Sequence, residues 1–173
     1  VTEKPILLWY RDDLRLHDHE PLYHALKVKA RVIPFYCFDN RQFGTTSFGF
    51  PKTGAFRTQF LLESVTDLRS SLRSLGSDLV VRRGFPEEII PTLAKELHIS
   101  EVYYHQEVTS EERAVETALK NALAQIGVTV KEFWGSTLYH PDDLPFSIPQ
   151  IPELFTNFRK QVEKKSAIAP PLP

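Results

Sequence analysis

Seven of the nine residues from Arg11 to His19, in the run "RDDLRLHDH", can ionise, ligate a metal or move a proton. Three chemistries suit such a run: a charge network that orders a turn, a metal site on His17, Asp18 and His19, or a strand end that faces a ligand. The metal reading is disfavoured, because no compact third ligand group is visible and the residues lie beside a helix start for which Asp18 is a good N-cap. The second candidate stretch is "HQEVTSEER", from His105 to Arg113. There Thr109 and Glu112 have the T-x-x-E spacing of a capping box, which on local sequence alone is the stronger reading of Glu112. Nucleophilic catalysis has no local signature, since Ser136 lacks a G-x-S-x-G elbow and Cys37 has no adjacent histidine. The sequence also carries neither GxGxxG nor GxxxxGK[ST], so ordinary dinucleotide and P-loop chemistry find no support.

Both candidate stretches follow apolar runs that read as strands. "PILLWY", "RVIPFYCF", "DLVVR", "EVYYH" and "VTVKEFW" are short, β-branched or aromatic, and separated by segments of helical periodicity. Asp18 is placed to cap the helix "LYHALK". Thr53 opens a long helix on which Leu61, Val65, Leu68, Leu72 and Leu75 step by four and three and form one buried stripe. Pro86 stands in the first turn of "FPEEIIPTLAKEL", and Val115, Leu119, Ala122 and Ile126 share one face of the next helix. Near-continuous apolar strands alternating with helices predict a doubly wound parallel sheet, covered on both faces. In such a sheet the ligand crevice lies beyond the carboxyl ends of the strands where the order of addition reverses, which puts Arg11 to Arg15 opposite "HQEVTSEER". The aromatic-rich "FGFPKTGAF" reads as loop packing, Trp9 and Trp134 as strand core, and "RKQVEKK" as a solvated face.

Composition bounds the function. A chain of 173 residues suits one α/β domain over residues 1–165, with 166–173, ending in "APPLP", as a linker or tail. No apolar run approaches the roughly 20 residues of a membrane-spanning helix. A formal net charge of −1 lacks the basic excess of a nucleic-acid-binding domain. The single Cys37 excludes an internal disulfide framework and fits an intracellular, reducing compartment. The chain has no methionine, so Val1 is read as the result of trimming, and the compartment as cytoplasm or an organelle such as the chloroplast if a transit peptide was removed.

The blocks "WYRDDLRLHDHEPL", "IPFYCFDNRQF", "GFPKTGAFRTQFLLESVTDLR", "PEEIIPTLAKE", "HQEVTSEE", "FWGSTLYHPDDLPF" and "FTNFRKQVE" resemble, in order and spacing, the amino-terminal α/β domain of photolyases and cryptochromes, with the DASH cryptochromes most similar. The resemblance spans almost the whole chain. It implies a Rossmann-like five-stranded parallel sheet in the order 3-2-1-4-5 with helices on both faces. It further implies an antenna-chromophore half-site, usually for 5,10-methenyltetrahydrofolate in DASH members, and membership of a blue-light and DNA-repair family. The helical domain that holds FAD and the damaged base in that family has no counterpart in these residues, so no FAD and no dimer repair are expected of this chain alone.

By the same resemblance, Glu111 and Glu112 match the "SEE" in which a glutamate binds the pterin end of the folate, with Gln106 just before it. A carboxylate suits that role because it accepts two hydrogen bonds from an aminopyrimidine edge. Arg11, Phe38 and Asp39 fall where some relatives line a deazaflavin pocket. An isolated domain presents an open half-site, with weak antenna binding or none. Arg11, Asp13 and Arg15 are then read as one network ordering the turn, with Arg11 the member that faces a ligand.

Two classes of function follow: an antenna-binding module that works with a flavin-containing domain of a parent chain, or a non-catalytic scaffold or interaction domain that has lost its chromophore, whether or not fused to another catalytic module. Neither requires direct binding of nucleic acid. With acidic and basic residues interspersed, attraction to phosphate is expected to be weak and to vanish with salt. A gel-shift titration at physiological salt is expected to show no tight complex, and tight binding there would reveal a basic patch that composition hides.

Overall fold

A computed structural model of the chain describes residues 4–173; Val1 and the next two positions of the expected domain lie outside the described residues. Five parallel strands, β1 (Ile6–Tyr10), β2 (Val32–Asp39), β3 (Val80–Gly84), β4 (Glu101–Gln106) and β5 (Thr129–Trp134), stand in the order β3-β2-β1-β4-β5. They are linked by helices α1 (Glu20–Lys27), α2 (Ala55–Ser74), α3 (Pro86–Glu96) and α4 (Ser110–Ala124), and α5 (Phe155–Lys165) follows β5. The doubly wound parallel sheet expected from the strand pattern is observed, in the Rossmann-like order that the resemblance implies.

The period of two along β1 builds both layers. Leu7 and Trp9 enter the cluster that packs on Ile90, Leu93, Val115, Leu119 and Leu123 of α3 and α4. Ile6, Leu8 and Tyr10 face the opposite cluster, with Ala25 of α1 and Val65, Leu68 and Leu72 of α2. β1 is buried along its whole length, as a central parallel strand must be. On α2 the stripe ends one turn early, because Leu75 lies past the helix and is 73% exposed.

Several local expectations are corrected. Asp18 does not cap α1. It takes a left-handed conformation (φ 52°), exchanges hydrogen bonds with Leu172 of the tail, and leaves the N-cap to His19. Helix α2 begins at Ala55 behind Gly54, and the Thr53 hydroxyl instead donates to the Gln42 carbonyl. Of the "FGFPKTGAF" aromatics, Phe48 and Phe50 stack on each other at 6.1 Å but do not join the core: Phe48, Phe50 and Phe56 are 82%, 57% and 90% exposed. Thr109 caps α4 without a side-chain bond, so the capping box does not form. No helix among the described residues is long and apolar enough to cross a membrane.

The network expected of Arg11, Asp13 and Arg15 forms through the backbone, since the Arg11 N–H donates to Asp13 Oδ1 and the Arg15 N–H to the Asp13 carbonyl, while the three side chains turn to different partners. The Arg11 guanidinium reaches α4, while that of Arg15 donates to the His17 and Asp18 carbonyls of its own turn. Asp13 ties β1 to two other elements. Its Oδ1 accepts the Arg11 N–H, and its Oδ2 meets His105 of β4 and His19 of α1. His19 Nδ1 accepts the Leu22 N–H at 3.1 Å, so the ring proton belongs on Nε2, which approaches Asp13 Oδ2 obliquely at 2.8 Å. Gly135 completes this corner, since a Cβ there would lie 2.7 Å from the His105 ring.

Burial opposes ionisation of Asp13, but hydrogen bonds from His105 and His19 outweigh it and hold the carboxyl well below the ordinary carboxylate range. A carboxyl depressed in the native state stabilises the fold fully above its unfolded value, near pH 4, and this contribution is lost as pH falls towards the native value. Asp13→Asn is therefore expected to lower stability by on the order of 3 kcal/mol at pH 7. The deficit should shrink below about pH 4. Urea melts of both proteins at pH 7 and pH 3 check this, and an equal deficit at both would remove the ionised carboxylate from the account.

Candidate functional site

The strand order reverses between β1 and β4, and a cavity of about 790 Å³ opens beyond their carboxyl ends. Asp12 comes from the end of β1, Asp39 from β2, Glu107 from β4, Glu111, Glu112 and Val115 from α4, Phe60 and Leu61 from α2, and Phe50 and Lys52 from the loop that precedes α2. Three of the six expected site residues, Asp39, Glu111 and Glu112, are thus brought to one cavity.

Their chemical states differ. The Arg11 guanidinium is 7% exposed and donates to Glu112 and Glu116, with its carbon 4.6 Å from the Trp9 ring centroid. Burial opposes its charge, but the Glu116 hydrogen bond and the two carboxylates prevail and keep it ionised. Arg11 is therefore a buried tie and not a ligand-facing group, because β1's alternation continues past Tyr10 and carries it onto the α4 face. Glu112 serves this tie rather than the helix cap. Asp39 holds the next turn: it accepts the Arg41 N–H and, through both oxygens, the Arg41 guanidinium, whose other edge is bidentate on Glu87.

Glu111 stands apart. It is exposed, and both of its oxygens accept from Lys52 Nζ, at 2.6 and 2.9 Å. A solvent-exposed pair of this kind contributes about 0–1 kcal/mol, so the carboxylate is readily surrendered to another donor. Removing Glu112 from the buried Arg11 costs more. Of the acidic pair, Glu111 is thus the more weakly held carboxylate.

The remaining expected residues lie elsewhere. Phe38 packs edge-on against Tyr36 at 4.9 Å and lies near Phe43, and Gln106 ends β4 half-buried; neither lines the cavity. Around Arg11 and Asp39 a second hollow of only about 20 Å³ is lined by Trp9, Tyr36 and Cys37, which is room for a single water and not for a deazaflavin. Cys37 stays a thiol, pushed up to about 12 by burial and by Asp39 and Glu87.

Glu107, Lys52, Phe50 and Phe60 line the cavity and were not singled out from sequence. Glu107 has no side-chain hydrogen-bond partner among the described residues; burial raises its carboxyl above the usual range, with Asp12 and Glu112 adding and Arg11 opposing. Glu116 was also missed. Its signal was a charge one residue from Val115 on a helix face that packs inward, which calls for a buried partner.

A metal at the corner behind the cavity is disfavoured by hydrogen bonding. Asp13, His19 and His105 bring ligand atoms within 4.8 Å of one another, a different trio from the one considered in sequence. A metal on His19 Nε2 would need the ring proton on Nδ1, where it would oppose the Leu22 N–H.

With this fold and crevice, the chain belongs to the DNA photolyase family, whose model matches residues 6–173. It is 65% identical over 173 residues to the cryptochrome DASH of Gloeobacter violaceus, all of this chain against 35% of that protein. A crystal structure of a Synechocystis cryptochrome shares the fold at a TM-score of 0.96 and 49% identity, over 99% of this chain and 36% of that one. A relative from Arabidopsis thaliana, 46% identical over 165 residues and matched over 29% of its length, is named a chloroplastic/mitochondrial cryptochrome DASH. The chain spans about a third of the length of the curated relatives it matches.

The two neighbouring glutamates are expected to separate in stability measurements. Glu112→Gln, which weakens the buried Arg11 tie, should cost about 1.5–3 kcal/mol. Glu111→Gln should change stability by less than about 0.5 kcal/mol. Urea denaturation of both variants checks the assignment, and a reversed order would contradict it.

Proposed function

We propose that the cavity is the α/β half of an antenna-chromophore site for a methenyl-folate, with Glu111 receiving the aminopyrimidine edge of its pterin. One observation carries this reading: at the crevice where the strand order reverses, a paired but exposed carboxylate faces the same cavity as two exposed aromatic rings. Phe50 and Phe60 are 57% and 70% exposed, a wasteful arrangement in water but a useful one beside a planar heterocycle. A volume of about 790 Å³ lies within the range of cofactor sites. The bound folate would supply light absorption; the chain's own residues bind and orient it.

The matched relatives extend over about three times this length, and the flavin and lesion sites that the resemblance implies are proposed to lie in that further part. The chain alone is accordingly proposed to hold no FAD, to repair no pyrimidine dimer, and to complete its antenna site only beside a flavin-containing domain. The compartment is proposed to be cytoplasm or an organelle.

Titration of 5,10-methenyltetrahydrofolate into the purified chain tests the reading. Saturable binding is expected, with no flavin released on denaturation. Glu111→Gln should lose roughly tenfold or more in affinity, as expected for a charge-assisted hydrogen bond. Absence of saturable binding at high folate would favour the scaffold reading instead, and stoichiometric released flavin would overturn the proposed division of labour.

A further inference from the structure

We propose that Lys52 is a latch on this cavity: in the ligand-free protein its ammonium occupies both Glu111 oxygens, the two atoms that an incoming donor edge must take, and ligand entry exchanges one for the other. The inference rests on the folate reading above and assigns a role to a residue on the opposite wall.

The loop that carries Lys52 is built to hold it there. Thr45 and Pro51 form an antiparallel bridge, and the Thr46 N–H donates to the Phe50 carbonyl at 2.8 Å. Gly49 turns the chain at φ 87°, and the Lys52 N–H closes the base on the Gly44 carbonyl at 2.9 Å. Among the described residues, the Lys52–Glu111 pair is the one side-chain hydrogen-bonded link between this loop and α4. The backbone of the loop therefore stays in place while the flexible lysine stem swings, and only the side-chain link across the cavity is broken.

Release is easy at Glu111 and hard at Glu112. The Lys52 and Glu111 side chains are 35% and 54% exposed, whereas Arg11 is 6% exposed within its tie to Glu112. A lysine ammonium is also a point donor on a flexible stem, without the planar fork that fixes Arg11. A carboxylate that must first be freed lowers apparent affinity by the fraction of time it is available. For an exposed ion pair that penalty is about two- to fivefold.

Zero-length carbodiimide coupling followed by peptide mass spectrometry reads the latch directly, with and without saturating 5,10-methenyltetrahydrofolate whose binding is followed by its absorbance. A Lys52–Glu111 amide is expected in the ligand-free chain, and its yield should fall several-fold at saturation. Lys52→Gln should bind the folate about two- to fivefold more tightly than wild type. Folate binding with undiminished coupling, no coupling in the ligand-free chain, or weaker binding by Lys52→Gln would each overturn the latch while leaving the folate site standing. If neither wild type nor Lys52→Gln binds, the folate reading fails and the latch with it. Binding by Lys52→Gln alone would be its strongest support.

Discussion

The buried tie between Arg11 and the α4 carboxylates of Glu112 and Glu116 sets the geometry of this molecule's crevice. A guanidinium leaving the end of a central strand would be stranded in the protein interior, and the carboxylates brought by α4 make its burial tolerable. Glu116, itself 1% exposed, also accepts the Glu107 N–H at 2.7 Å, so the same carboxylate closes the turn between β4 and α4. Asp13 repeats the arrangement on the other side of the sheet, joining β1 to His19 and His105. Charge alternating at the end of one strand thus fastens a helix in each layer.

From that tie follows the division of labour between Glu111 and Glu112. Adjacent helical residues point about 100° apart. Once Glu112 is drawn towards β1, Glu111 must turn towards the loop and Lys52, where solvent screens it. Two residues of identical type acquire different surroundings: Glu112 holds a buried guanidinium, and Glu111 pairs with a lysine in solvent.

Membership of the DNA photolyase family agrees with this arrangement without explaining it, because a doubly wound sheet serves many functions and the site must supply the particular one. Here the crevice presents two exposed phenylalanines, the solvent-exposed Glu111 carboxylate, and a half-buried Glu107 whose side chain has no hydrogen-bond partner among the described residues. These are the groups on which the proposed folate reading rests.

Local pattern was enough for the sheet. Five apolar runs between amphipathic segments specify a parallel α/β fold because strand and helix periods are properties of neighbours in sequence, and the charged run after β1 marked the crevice for the same reason. Local pattern failed where a residue had two plausible partners. Asp18 and the pair Thr109 and Glu112 look like caps when only adjacent residues are weighed, yet Asp18 binds the tail and Glu112 binds Arg11. The deciding interactions join residues far apart in the chain: Arg11 and Glu116 are separated by 105 positions, Lys52 and Glu111 by 59. Burial, which encloses the first pair and leaves the second in solvent, exists only after the layers have packed, so the surroundings of Arg11, Glu111 and Glu112 are properties of the folded molecule.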